Sequence, residues 1–154
     1  MDVDPTSLAF RARALAQAHA LSAAAQRMMN RAVADEARTQ PRPELGAWAG
    51  AAFTQGYCLR RVQEDGTVFA DFAMDDDALD RAGTERAAEL RTNAADVVTV
   101  AALDLIVGSQ VEQRVEPWRD EIDDATRLEL EQYLTWWVVK GYGVRVAETS
   151  GPSP

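Results

Sequence analysis

Apolar residues recur along this chain with the period of a helix rather than that of a strand. In the N-terminal stretch Phe10, Ala14, Leu21, Ala25, Met28 and Ala32 form one stripe beside a second of Leu15, Ala18, Ser22, Met29 and Val33, while Arg13, Arg27, Arg31 and Arg38 gather opposite. The pattern predicts a first helix that starts after Asp4-Pro5-Thr6-Ser7, where hydroxyls can cap free amides and proline fits a first turn, and runs to about Arg38. A second helix over about 44–64 places Leu45, Trp48, Ala52, Leu59 and Val62 on one side and ends at Asp65-Gly66. Residues 67–72 read as an extended linker packed through Phe69 or Phe72. Asp75-Asp76-Asp77 marks the start of a third helix, about 78–112, with Gly83-Thr84 as a break point. Pro117 opens a fourth, which runs to about Val146 ahead of a disordered tail at 149–154. The fold expected is all-α, a four-helix up-and-down bundle with long first, third and fourth helices, in one domain over 1–148; two helical hairpins are the alternative.

The fourth helix departs most from a plain bundle element. Leu130, Leu134, Trp137, Val138 and Gly141 share one stripe, while Ile122, Ala125, Tyr133, Trp136 and Val139 lie on another, so the segment is apolar nearly all round and is either the central helix of the bundle or a helix whose outer face contacts a partner. Adjacent helical residues point about 100° apart. Trp136 and Trp137 therefore cannot both occupy one narrow core stripe, and one of them belongs to a second contact. Tyr133, Trp136, Trp137, Val139 and Tyr142 are the candidate partner-interface residues, aromatic side chains being favoured anchors, and pairing of two copies into a homodimer is the simplest form of that contact.

Composition narrows the function classes. No apolar run among the 154 residues approaches the roughly 20 that a membrane span needs. Arg11 and Arg13 interrupt what would be the apolar part of a signal peptide, so none is expected. The one cysteine, Cys58, forms no internal disulfide and no multi-cysteine zinc site, which fits a cytoplasmic protein. Lys140 is the single lysine among 16 basic residues, which with the abundant alanine points to a GC-rich bacterial genome. Net charge is −9 and uneven: residues 1–63 carry eight arginines against five acids, and residues 64–154 carry eight basic against twenty acidic groups. A basic helix packed beside acidic ones within the molecule accounts for this; an acidic half that recruits a partner with a basic surface is the other reading. Nucleic acid is not an expected ligand, because phosphate binding needs a clustered cationic surface.

Candidate chemistry is sparse. His19 has no evident nucleophile or orienting acid near it in sequence, and Cys58 reads as a small buried hydrophobe. A di-iron bundle site needs Glu-x-x-His from two helices, and one histidine cannot supply it. Glu85 and Glu89 lie one turn apart, and Glu121 with Asp124 has the Glu-x-x-Asp spacing that points two acids the same way. These acids resemble those of the all-α, MazG-type nucleotide pyrophosphohydrolases, a resemblance that implies magnesium held by Glu85, Glu89, Glu121 and Asp124, although that family pairs the glutamates of its first acidic motif more closely. Trp48-Ala49-Gly50 resembles the Trp-x-Gly element of the helical-hairpin proteins exported by type VII secretion, although here it falls inside a predicted helix. Asp104 stands among Val100, Leu103, Leu105, Ile106 and Val107 and would need a partner if buried. A pocket between Trp48, Tyr57, Trp136 and Tyr142 would suit a small molecule. Gly56-Tyr57-Cys58-Leu59-Arg60 faintly echoes Gly141-Tyr142-Gly143-Val144-Arg145, five positions being too few for a duplication. No catalytic, cofactor or metal residue is assigned. The function expected is a non-enzymatic helical interaction or scaffold protein that self-associates through the fourth helix; a magnesium-dependent nucleotide pyrophosphohydrolase is the alternative.

Overall fold

The computed structural model describes residues 4–18, 21–39, 44–64, 75–93 and 97–150. All regular structure among them is helical: α1 (Pro5–Gln17), α2 (Ala23–Thr39), α3 (Glu44–Gln63), α4 (Asp76–Asn93), α5 (Val97–Val115), a 3₁₀ turn (Glu116–Trp118) and α6 (Asp124–Ser150). The all-α class holds, but the four-helix count does not.

Two of the expected long helices are each a pair. The first divides at Ser22, whose hydroxyl caps α2 by accepting from the Ala25 amide and also donates to Glu148, while its own amide donates to the Tyr57 hydroxyl. Those tertiary bonds consume groups that a continuous helix would use within itself, so they override the helical preference of the alanine-rich sequence. The third divides ahead of Val97, not at Gly83-Thr84. Gly83 stays inside α4 because a Cβ there would strike Val144, so this glycine serves close packing rather than chain reversal. Pro117 opens the 3₁₀ turn, and α6 starts later, at Asp124, where the Asp123 carboxylate accepts from the Thr126 amide. Thr149 and Ser150 continue α6, and its Thr149 hydroxyl bonds back to the Arg145 carbonyl. Residues 67–72, 151–154 and His19 lie outside the described residues.

The helix that is apolar all round is central: α6 packs on α3, α4 and α5. It approaches α3 so closely that a Cβ on Gly56 would overlap the Val138 carbonyl, and one on Gly141 the Phe53 carbonyl. The two helices cross there in the same direction, since Tyr133 near the start of α6 bonds the Leu45 carbonyl near the start of α3, and Arg145 near its end pairs with Glu64. This parallel central pair is not an up-and-down arrangement.

The crossing is also reciprocal. Gly56 meets the residue three before Gly141, and Gly141 meets the residue three before Gly56. Arg60 lies over the Tyr142 ring at 5.9 Å, and Arg145 over the Tyr57 ring at 5.6 Å. The Tyr57 hydroxyl donates to Glu148 at 2.5 Å, and the Tyr142 hydroxyl to Gln63 at 2.6 Å. Every one of these contacts maps onto its mate when α3 and α6 are exchanged. The flanking helices obey the same exchange: α1 packs on α3 as α4 does on α6, α2 on α3 as α5 on α6, and α1 on α5 as α4 on α2. The chain is thus two three-helix repeats, α1–α3 and α4–α6, related by an approximate twofold. Even the starts agree, with Asp4 and Asp75 each capping a first turn and Leu8 and Leu79 each buried one turn on.

Candidate functional site

The polar groups that the fold buries gather at the C-terminal ends of α3 and α6. Arg145, 6% exposed, is held bidentately by Glu64, its Nε donating to Oε1 at 2.8 Å and its Nη2 to Oε2 at 3.0 Å, while Nη1 donates to the Tyr57 hydroxyl. Glu148 accepts from both Tyr57 and Ser22. Burial opposes the guanidinium charge, but Glu64 and Tyr57 outweigh it and leave the Arg145 pKa raised. Burial, with Glu148 as its hydrogen-bond acceptor, pushes the Tyr57 phenol up to about 12. The matching node of the other repeat replaces the carboxylate acceptor with an amide: Tyr142, with Arg60 over its ring, donates to Gln63, whose amide donates to the Thr99 hydroxyl at 2.7 Å. Both nodes are bonded within the chain and act as latches between repeats.

Of the five residues expected at a partner interface, Trp137, Val139 and Tyr142 are buried within the chain, and Tyr133 is half-buried with its hydroxyl donating to Glu36 at 3.1 Å. Trp136 points outward at 44% exposed, its ring edge-on to Trp137 with centroids 4.9 Å apart. The pair therefore divides between core and surface, as the 100° step requires.

The other candidates disperse. Glu85, Glu89 and Arg86 lie along α4, where Arg86 pairs with Glu89, whereas Glu121 and Asp124 are exposed at the start of α6. Among the described residues no group of three or more His, Cys, Asp or Glu side chains is placed to hold a metal ion. Cys58 is buried, and desolvation pushes its thiol up to about 11, which disfavours the reactive thiolate. Trp48-Ala49-Gly50 lies within α3, with Arg114 over the Trp48 ring at 5.5 Å. Asp104 is exposed on α5. Tyr57 and Tyr142 line no open pocket with Trp48 and Trp136: both tyrosines are buried and bonded into the two latches.

What the sequence did not reveal is an open crevice of about 720 Å³ among α1, α2 and α3, lined also by Gln113 of α5, with Met29 and Val33 on one side and Gly46, Gly50, Ala51 and Gln55 on the other. A Cβ on Gly46 would crowd Val33, and one on Gly50 would just touch it. The Gln55 Oε1 is buried there with no hydrogen-bond partner among the described residues. The equivalent crevice of the second repeat, between α5 and α6, holds about 380 Å³ and includes Val107, Gly108 and Thr135 together with the charged Asp104, Glu112, Arg127 and Glu131. No helix among the described residues is long and apolar enough to cross a membrane. No known protein family, curated protein or solved structure matches the chain.

Proposed function

We propose that this chain is a non-enzymatic helical interaction protein of the cytoplasm that pairs with a second copy through the outer face of α6. The reading rests on one observation: Trp136 presents a large aromatic surface outward from a helix whose other aromatic residues are buried, as Trp137 and Tyr142 are, or half-buried, as Tyr133 is. Leu128, earlier on α6, is a second exposed apolar side chain of that helix, 53% exposed. Exposed tryptophan is a favoured interface anchor because it contributes a large apolar area at little conformational cost. The uneven charge is used in part internally, since Arg27 and Arg31 of α2 pair with Asp76 and Asp77 at the start of α4, which favours a second copy over a basic partner.

Sedimentation equilibrium on the wild type and on Trp136→Glu tests this. A dimeric wild type and a folded, monomeric variant are expected, because a charge at an apolar interface is relieved by separation. A wild type that stays monomeric at high concentration overturns the proposal.

A further inference from the structure

The twofold allows each feature of one repeat to be compared with its mate, and the largest difference falls at the crevice of the first. The register that aligns Gly56 with Gly141 places Ala51 opposite Trp136 and Gln55 opposite Lys140. The register that aligns Asp4 with Asp75 places Arg13 opposite Thr84. In the second repeat these positions are filled by the chain itself. Lys140, 3% exposed, donates to the Asp80 carbonyl at 2.8 Å, to its carboxylate at 2.5 Å and to the Thr84 hydroxyl, and its ammonium lies 5.7 Å from the centre of the Trp136 ring. In the first repeat a methyl group stands where the indole is, and an acceptor stands where the ammonium is. The result is a crevice of about 720 Å³ with a buried acceptor that no described residue reaches.

Three features define what fits there. The volume is in the range of small-molecule sites, and the walls combine Ala, Val, Leu and Gly with the uncharged polar Gln17, Gln26, Asn30, Thr54 and Gln113, the Met29 thioether being a soft contact for a ring. The Gln55 carbonyl asks for an N–H or O–H donor. The described lining has no carboxylate, in a chain with 25 acids, and carries Arg13 on the α1 side; the mate crevice holds three acids.

We propose that this crevice binds a small planar aromatic acid bearing a ring N–H. Its ring takes the space that Trp136 takes in the other repeat, its N–H meets Gln55, and its carboxylate faces Arg13. The site is independent of the dimer surface, since no residue of α6, which carries Trp136, lines the crevice.

Isothermal titration calorimetry of the full chain with indole-3-acetate, naphthalene-1-acetate and tryptamine tests it. Indole-3-acetate should bind one per chain; naphthalene-1-acetate, which lacks the donor, and tryptamine, which reverses the charge, should each bind at least about tenfold more weakly. Ala51→Trp, which copies the second repeat into the first, should abolish binding, and Arg13→Glu should weaken it at least about tenfold with the fold intact by circular dichroism. Gln55→Leu should equalise the two acetates, a readout that survives if Ala51→Trp fails to fold. No saturable binding of indole-3-acetate, binding undiminished in folded Ala51→Trp, or a preference for tryptamine would each overturn the proposal.

Discussion

The two repeats share their glycine crossing and their tyrosine latches but divide the polar work unequally. In the second, Arg145, Glu148 and Lys140 are all buried, and each is matched by partners on another helix. In the first, their counterparts are Arg60, Gln63 and Gln55, half-buried and with fewer charges. Buried charges that are fully paired demand one arrangement, whereas neutral groups at a half-exposed edge tolerate several. The charged, fully paired latch thus fixes one repeat on the other, and the first repeat carries the larger open space. The shared features should respond alike to substitution in both halves, and the divergent ones should not.

The largest effect is expected at the shared crossing. Gly141→Val and Gly56→Val each drive a side chain into a carbonyl of the opposing helix, which cannot move without separating the central pair. Each should cost at least about 4 kcal/mol or prevent folding, measured by urea denaturation. Gly108 on α5 is the control, because a Cβ there meets nothing within 4 Å. Gly108→Ala should raise stability by up to about 1 kcal/mol, the ordinary helical gain. Tolerance of valine at either crossing glycine would refute the twofold packing.

The next effect separates the halves. Arg145→Met strands Glu64 and Glu148 in the interior and should cost about 3–5 kcal/mol, the range for breaking a buried pair from one side. Arg60→Met removes a stacked cation at a half-buried position and should cost about 1 kcal/mol or less. Equal losses would mean that the latches are equivalent after all. The Tyr57 latch also sets an alkaline limit. Its phenol titrates near 12 in the folded chain against 10.0 ordinarily, so the contribution is complete below pH 10 and lost as pH rises toward 12, where the unfolded chain ionises first. Unfolding midpoints across pH 9–12 should fall in that window, and less steeply in Tyr57→Phe.

Helical class, the limits of α3, the central place of α6 and the split of Trp136 from Trp137 were legible, because each follows from the period of apolar residues. The divisions at residue 22 and ahead of Val97 were not. The first depends on tertiary bonds such as Ser22 to Glu148, 126 positions apart, which leave no local trace. The duplication leaves a local likeness of five positions, Gly56 to Arg60 against Gly141 to Arg145, too short to establish it from sequence. Three further residues would have strengthened it, because Gln63 and Glu148 stand in register seven positions after Gly56 and Gly141. The crevice had no signal in one repeat alone, since Gly46, Gly50 and Ala51 look like ordinary small helix residues. It emerges when Ala51 is set against Trp136.

The smallest effects should differ in sign at Lys140 and Gln55, which the twofold makes equivalent. Lys140→Leu removes an ammonium with three acceptors and leaves Asp80 and Thr84 on the α4 surface; because the Asp80 side chain is 52% exposed, water can replace part of the loss. The cost should be about 1–3 kcal/mol, as for hydrogen bonds to a charged group. Gln55→Leu discards a carbonyl that is desolvated without a partner, so the same change of side chain should leave the ligand-free protein unchanged or raise its stability by up to about 1 kcal/mol. Urea titrations of both variants settle the contrast. A loss at Gln55 as large as that at Lys140 would mean that the glutamine is already satisfied within the chain, and the first repeat would then have nothing to gain from a ligand that the second does not already supply from its own sequence.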